Sequence, residues 1–121
     1  MIKGIGVDIT EITRIAQLLE DTRFLERCFS GGERAMLAER KEGTSGAAAN
    51  FAAKEAFSKA LGTGVRGFNL CDIEVLRDEA GKPYITLYNQ AKAIADGMGI
   101  TRIHVSLSHS NDNAIAFVMA E

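Results

Sequence analysis

The stretch Asn50 to Gly64, NFAAKEAFSKALGTG, holds an acid, a base and a glycine turn at spacings that suit a metal-bound phosphate. Wound as a helix at about 100° per residue, it puts Ala53, Ala56, Phe57, Ala60 and Leu61 on one side. Glu55, Lys59 and Ser58 fall on the other, between Phe51 and Ala52. Gly62-Thr63-Gly64 then ends the helix, and its glycines can offer backbone N–H groups with few steric limits. The same residues also have plain structural uses. A Glu–Lys pair four apart is a common solvated helix device worth about 0.2–0.5 kcal/mol, and a glycine after a helix is a common cap.

Two further clusters could join that chemistry. Asp8 reads as the last polar residue of a first strand, with a helix starting just beyond it. A carboxylate there is favoured by helix N-terminal charge. It is equally a hard oxygen ligand, and Mg²⁺ commonly takes one or two protein carboxylates together with phosphate oxygens. Asp8 and Glu55 provide such a pair if the first strand lies beside the alanine-rich helix. The other cluster is Ser106-Leu107-Ser108-His109-Ser110, at a strand end where loops often carry ligands. Serine and histidine adjacent in sequence are not by themselves a nucleophile and its base, because such pairs are defined in space. His104, inside the same strand pattern, is given no role.

The elements that must position these groups follow from pattern. Ile2 to Asp8 alternates as a strand, with Ile5, Val7 and Ile9 on one face. Ile12, Ile15, Ala16 and Leu19 mark a helix, and Thr22 to Phe29 a second short one. Ser30 with Glu33 forms a capping box for a helix through about Arg40. A loop over Lys41 to Ser45 leads into the alanine-rich helix, Ala47 to Leu61, and Val65 to Leu70 is a connection. Asp72 to Leu76 and Tyr84 to Leu87 alternate as strands joined by the turn-rich Arg77 to Pro83. Asn89 to Met98 reads as a helix ending at Gly99. Ile103, Val105 and Leu107 alternate, Ser110 to Asn113 turns, and Ala114 to Met119 is a nearly all-apolar last strand whose two faces are both expected to be covered, one candidate cover being a subunit interface. Short links make the strand pairs antiparallel. The expected class is α+β, with helices packed on one side of an antiparallel sheet.

Composition narrows the function. The chain has 121 residues, the length of one ordinary domain, read as residues 1–121. Its formal charge of −2 gives no footprint for nucleic acid. No apolar run reaches the roughly 18 residues that span a bilayer, and MIKGIGVDIT has no signal-peptide apolar region. Cys28 and Cys71 form no CxxC pair, which fits reduced thiols and a cytoplasmic location.

Taken together, GIGVDITEITRI (Gly4 to Ile15), FAAKEAFSKALGTG (Phe51 to Gly64), GKPY (Gly81 to Tyr84) and HVSLSHS (His104 to Ser110) resemble the holo-[acyl-carrier-protein] synthase family, small bacterial 4′-phosphopantetheinyl transferases. The motifs occur in the family's order, and the resemblance covers nearly the whole chain. The resemblance implies a homotrimer of α+β subunits with coenzyme A bound at the subunit boundaries. It implies transfer of 4′-phosphopantetheine from coenzyme A to a serine of apo-acyl carrier protein, in support of fatty acid biosynthesis. By motif position, Asp8 and Glu55 hold Mg²⁺, Lys59 contacts the diphosphate, and Gly62, Thr63 and Gly64 lie against phosphate. Ser108 and His109 approach the nucleotide end, and Arg14 meets the acidic carrier protein. Asn50 stands where the family often has an arginine that helps hold a phosphate of coenzyme A, and its amide is expected to hydrogen-bond there without supplying charge. Two other readings keep some of these residues: a different metal-dependent diphosphate enzyme that takes no carrier, and a non-catalytic oligomeric binding module.

Overall fold

In the computed structural model, residues 1–41 and 43–121 are described. Residue 42, within the loop expected over Lys41 to Ser45, lies outside them. Strand β1 (Gly4–Glu11) runs directly into helix α1 (Ile12–Leu18), followed by α2 (Thr22–Cys28), α3 (Gly31–Glu39) and the long α4 (Thr44–Ala60). A short 3-10 turn, Leu70–Asp72, leads into the hairpin β2 (Ile73–Arg77) and β3 (Pro83–Leu87). Then come α5 (Asn89–Gly97), β4 (Ile103–His109) and β5 (Asn113–Ala120).

The fold is α+β with antiparallel pairing, as expected, but its strands form two sheets. One is three-stranded in the order β1-β5-β4; the β2-β3 hairpin stands apart. The hairpin is held instead against α4, where Lys54 reaches the carbonyl of Ile73.

Helix α4 is the centre of the molecule. It is buried almost all round, including Ala48, Ala52, Ala53, Ala56 and Phe57, and only toward Glu55 and Lys59 does its second half open to the surface. Its alanines let β1 come very close. A Cβ on Gly6 would sit 1.8 Å from the carbonyl oxygen of Ala56, and one on Gly4 would sit 2.0 Å from that of Ala60. Two strand residues rise about 6.6 Å and one helical turn of four residues about 6.0 Å. The Gly4, Gly6 spacing therefore tracks the Ala60, Ala56 spacing, and backbone meets backbone at both places.

The structure departs from the sequence expectations at four points. Strand β1 continues to Glu11, which pairs with Asn113. Asp8 is thus mid-strand opposite Ala116, not at a helix N-terminus, and the helix-charge use does not apply. Ile5, Val7 and Ile9 do share a face, but it is the open one, at 60%, 55% and 63% exposure. The last strand also alternates: Ala114, Ala116, Val118 and Ala120 are buried, whereas Ile115 and Phe117 are exposed, so one face has no cover within the chain. On the helices, Ser58 is buried and donates to the Lys54 carbonyl at 2.9 Å rather than joining Glu55 and Lys59. Ala16 is exposed, and the half-buried Leu18 packs inward in its place.

The capping box at Ser30 is present: the Glu33 N–H donates to Ser30 Oγ at 3.1 Å, and the Ser30 N–H to Glu33 Oε1 at 3.0 Å. Glu33 does more than cap. Fully buried, its Oε1 accepts from Lys54 Nζ at 2.6 Å. Cys28 and Cys71 are free thiols.

Candidate functional site

The rotation of α4 is set by Lys54. Its ammonium is fully buried and donates to Glu33 and to the carbonyls of Leu70 and Ile73. Burial pulls Lys54 down and pushes Glu33 up from their ordinary values, and the ion pair opposes both shifts. With Lys54 anchored toward the hairpin, the next residue, Glu55, points about 100° round the helix and comes into the field of Asp8 on β1.

The Asp8 carboxylate is mostly buried. Its Oδ2 accepts from Thr10 Oγ1 at 2.8 Å and its Oδ1 lies 3.2 Å from Lys59 Nζ. Lys59 also donates to the Val7 carbonyl at 2.9 Å. It therefore reaches across to β1 instead of lying along α4 as a surface partner for Glu55. Partial burial raises the Glu55 carboxyl above its usual range and the Asp8 charge raises it further; Lys59 and Arg14 pull it back. Arg14 is exposed on α1, with its guanidinium carbon 5.9 Å from the centre of the Phe51 ring.

Two carboxylates repelling each other beside one ammonium form an oxygen donor pair with charge to spare. That fits a hard divalent cation such as Mg²⁺, which is satisfied by one or two carboxylates and fills its other positions with water or phosphate. No group of three or more His, Cys, Asp or Glu forms a closed cage among the described residues. Directly beyond Lys59, Gly62 and Gly64 adopt φ of 82° and 69°, values that L side chains rarely take. Nothing lies within 4 Å of where their Cβ atoms would be, so this turn is open to a ligand. Thr63 is exposed between them and donates to the Gly64 carbonyl at 3.2 Å.

Ser108 and His109 are not brought to this cluster. They lie at the end of β4, with β5 between them and β1. There they line a separate cleft of about 180 Å³ together with Arg40, Ser45, Arg77 and Gly81. A larger apolar cavity, about 300 Å³ under Leu19, Phe29 and Leu37, shares no lining residue with either place.

Asn50 is placed differently from the expectation that it touches a phosphate. It is fully buried, and its amide donates to Glu33 Oε2 at 2.9 Å and to the Val75 carbonyl at 3.0 Å. A ligand phosphate cannot reach it without opening the core. Sequence reasoning also missed Lys54 and Glu33 as partners, and Arg40 and Arg77 as cleft residues. The signal for Lys54 was its position on the helical wheel beside Phe57 and Leu61, both apolar; the arginines carried none.

Comparison with known proteins gives the site a family context. The 4′-phosphopantetheinyl transferase superfamily matches residues 4–118. The holo-[acyl-carrier-protein] synthase of Alkaliphilus metalliredigens (strain QYMF) is 51% identical, and that of Alkaliphilus oremlandii (strain OhILAs) 47% identical, each match covering 99% of both chains. The crystal structure of the Neisseria meningitidis holo-[acyl-carrier-protein] synthase superposes with a TM-score of 0.92 at 35% identity, covering 100% of this chain and 99% of that one. The Bacillus anthracis structure, a complex with CoA (3′,5′-ADP), superposes at 0.83 and 39% identity, covering 100% and 97%.

Proposed function

The chain belongs to the 4′-phosphopantetheinyl transferase superfamily, among its holo-[acyl-carrier-protein] synthases, and from that premise we propose how its residues divide the work. The reaction is transfer of 4′-phosphopantetheine from coenzyme A to a serine of apo-acyl carrier protein, giving holo-acyl carrier protein and 3′,5′-ADP.

The observation that carries the assignment of residues is the crossing of β1 and α4. There Lys59 joins Asp8, and Glu55 feels both. Asp8 and Glu55 are the residues that would hold Mg²⁺, which would supply positive charge for the diphosphate. Lys59 places a positive charge beside the same oxygens, and the Gly62-Thr63-Gly64 turn lies against them. The carrier serine Oγ forms a bond to the phosphorus that bears pantetheine. The bond from that phosphorus to the bridging oxygen breaks, and its electron pair leaves with 3′,5′-ADP. The serine proton is taken up at the carboxylate pair. Little else is asked of the protein, because phosphoryl transfers of this kind depend on positioning and charge.

The sites are shared between copies in a homotrimer. Two observations support this reading. Ile5, Val7, Ile9, Ile115 and Phe117 form an exposed apolar sheet face, the kind of patch that marks an interaction surface. Ser108 and His109 lie across β5 from Asp8, so a neighbour's β4 end can bring them to the nucleotide half of coenzyme A. The acidic carrier docks through Arg14, the exposed cation nearest the carboxylate pair on α1. No helix among the described residues is long and apolar enough to cross a membrane, and with two free thiols the reaction belongs in the cytoplasm.

Incubation with coenzyme A, Mg²⁺ and purified apo-carrier tests the reaction directly. The carrier's intact mass rises by one phosphopantetheine, and omission of Mg²⁺ prevents it. A carrier that keeps its mass while coenzyme A is cleaved points to a different diphosphate enzyme. Binding without cleavage points to a binding module.

A further inference from the structure

The reaction above leaves unused two charged groups that are shut away from water altogether. Lys54 and Glu33 are both fully buried, and their charges meet at 2.6 Å. An ammonium has three N–H donors. Lys54 uses all three, on Glu33 Oε1, on the Leu70 carbonyl at 2.9 Å and on the Ile73 carbonyl. Those acceptors stand on α3, on the 3-10 turn and on β2. The Phe29 ring, just past α2, lies beside them with its centre 5.5 Å from Nζ. Glu33 is held on both oxygens. Its Oε1 also accepts from the Ser30 N–H at 3.0 Å, and its Oε2 accepts from the Asn50 amide at 2.9 Å.

Stability alone does not call for this arrangement. A buried ion pair is often matched or bettered by apolar residues of similar volume, and α4 already buries Ala48, Ala52, Ala53, Ala56 and Phe57. What the pair adds is direction. Apolar packing tolerates small shifts when volume is conserved, whereas bonds to three separate elements define one angle about the helix axis. That angle decides the ion site. Glu55 is the very next residue, and Lys59, one turn further, meets Asp8 at 3.2 Å. The contact of Gly6 and Gly4 with Ala56 and Ala60 sets how near β1 lies. It is a contact of backbone with backbone and does not by itself stop α4 from turning. A carboxylate about 6 Å from a helix axis moves about 1 Å when the helix turns by about 10°, and misplacement by about 1 Å costs on the order of a hundredfold in rate.

We propose that Lys54 and Glu33 are positioning residues: their bond fixes the turn of α4 about its own axis and holds Glu55 toward Asp8, so that both carboxylates are in place before the ion binds. This rests on the phosphopantetheinyl transfer reading with Asp8 and Glu55 as the ion's ligands. It goes beyond that reading in giving a task in the reaction to two charges that touch neither substrate nor ion.

The test separates direction from stability. Glu33→Gln keeps the shape and the helix cap but leaves Lys54 without its anion, and the double variant Lys54→Met with Glu33→Gln removes both charges together. Ile100→Val and Ile100→Ala, buried in the core beyond α5, supply the loss of Tm that a purely structural defect gives. Each variant is read at a temperature where it is folded. Mn²⁺ binding is followed by its spin-resonance signal, with and without coenzyme A, and kcat and KM come from carrier mass. Both network variants weaken Mn²⁺ binding and lower kcat, each by about ten- to hundredfold, with KM for the carrier unchanged. The Ile100 variants melt earlier and keep both properties. A folded network variant that keeps either the wild-type Mn²⁺ binding or the wild-type kcat overturns the proposal. So do losses no larger than those of an Ile100 variant of equal Tm, or a wild type that binds no Mn²⁺. A Glu33→Gln chain that does not fold overturns it too, because the pair then serves the fold itself; if only the double variant fails to fold, Glu33→Gln decides. Failure of the reaction reading looks different: the wild type transfers nothing to the carrier, while Mn²⁺ binding and its loss in the variants still stand.

Discussion

Substituting alanine for Gly6 adds one carbon at the point where β1 touches α4, two residues from Asp8 and against the residue after Glu55. The new Cβ would meet the Ala56 carbonyl oxygen at 1.8 Å, and real Cβ contacts essentially never fall below 3.0 Å, so strand and helix must part by about 1.2 Å. Both neighbours are backbone, and no side chain can swing aside. Overpacking of this kind costs about 1–3 kcal/mol, which for a chain of this size lowers Tm by about 3–5 °C per kcal/mol. The same separation moves Asp8 away from Glu55 and Lys59, and misplacement by about 1 Å costs on the order of a hundredfold in rate. We therefore expect Gly6→Ala to melt earlier, to need more Mg²⁺ for half-maximal activity, and to turn over about a hundredfold more slowly, as read by carrier mass. Gly97→Ala is the control, since its Cβ would meet nothing within 4 Å. If Gly6→Ala keeps the wild-type Tm and rate, or loses stability without any change in rate or Mg²⁺ requirement, the close approach does not position the carboxylates.

Asn50→Ala should lower stability by about 1–3 kcal/mol, because Glu33 and the Val75 carbonyl each lose a buried donor, while KM for coenzyme A stays put; a KM that rises with little loss of Tm would return Asn50 to the ligand site. Burial and Asp8 hold the Glu55 carboxyl above its ordinary range, so its contribution to stability is full below the unfolded value near 4.3 and is lost as pH rises through the folded one. Thermal unfolding in a chelator should then show Glu55→Gln more stable than wild type at pH 7, with the gap closing toward pH 4, and no activity; a gap that widens on acidification would contradict the repulsion. Phe117→Glu, on the open face, should lower trimer content in sedimentation together with activity, whereas Val118→Glu, buried on the opposite face, should unfold the chain; a fully active Phe117→Glu monomer would end the shared-site reading. Arg14→Glu should raise KM for the carrier much more than that for coenzyme A, with a defect that shrinks as salt rises; unchanged carrier kinetics at low salt would move the docking surface to Arg23 and Arg27.

Much of the fold could be read in advance because it rests on short-range rules. The Ser30–Glu33 box, the α4 apolar face and the period-two strands all depend on residues a few positions apart, and each stands in the structure. The readings that failed depended on partners far along the chain. Glu33 looked like a cap alone, yet its second bond is to Lys54, 21 residues on. Asn50 looked available to a ligand until Val75 and Glu33 claimed its amide. A helix seemed to start just beyond Asp8, so β1 was expected to end there; pairing of Thr10 with Ala114 and Glu11 with Asn113 carries it further. The apolar face of β1 was visible as alternation, but alternation does not say which face a single chain leaves open, and β5 read as apolar throughout because its buried face is alanine and valine and its open face isoleucine and phenylalanine. The Gly4, Gly6 spacing went unread, and only the docking of α4 shows it to be a close backbone approach.

The hydrogen bond from Lys59 to the Val7 carbonyl has a consequence outside catalysis. β1 is an outer strand of the β1-β5-β4 sheet, paired to β5 alone, and an unpaired strand edge is a template on which a stray extended chain can add itself. The ammonium occupies an acceptor in the middle of that edge and sets a positive charge beside it. Lysine at an exposed edge is a common guard against such pairing. The side chain proposed for the diphosphate thus also bears on the colloidal behaviour of the protein, and an alanine there would unblock the edge as well as remove a charge from beside Asp8.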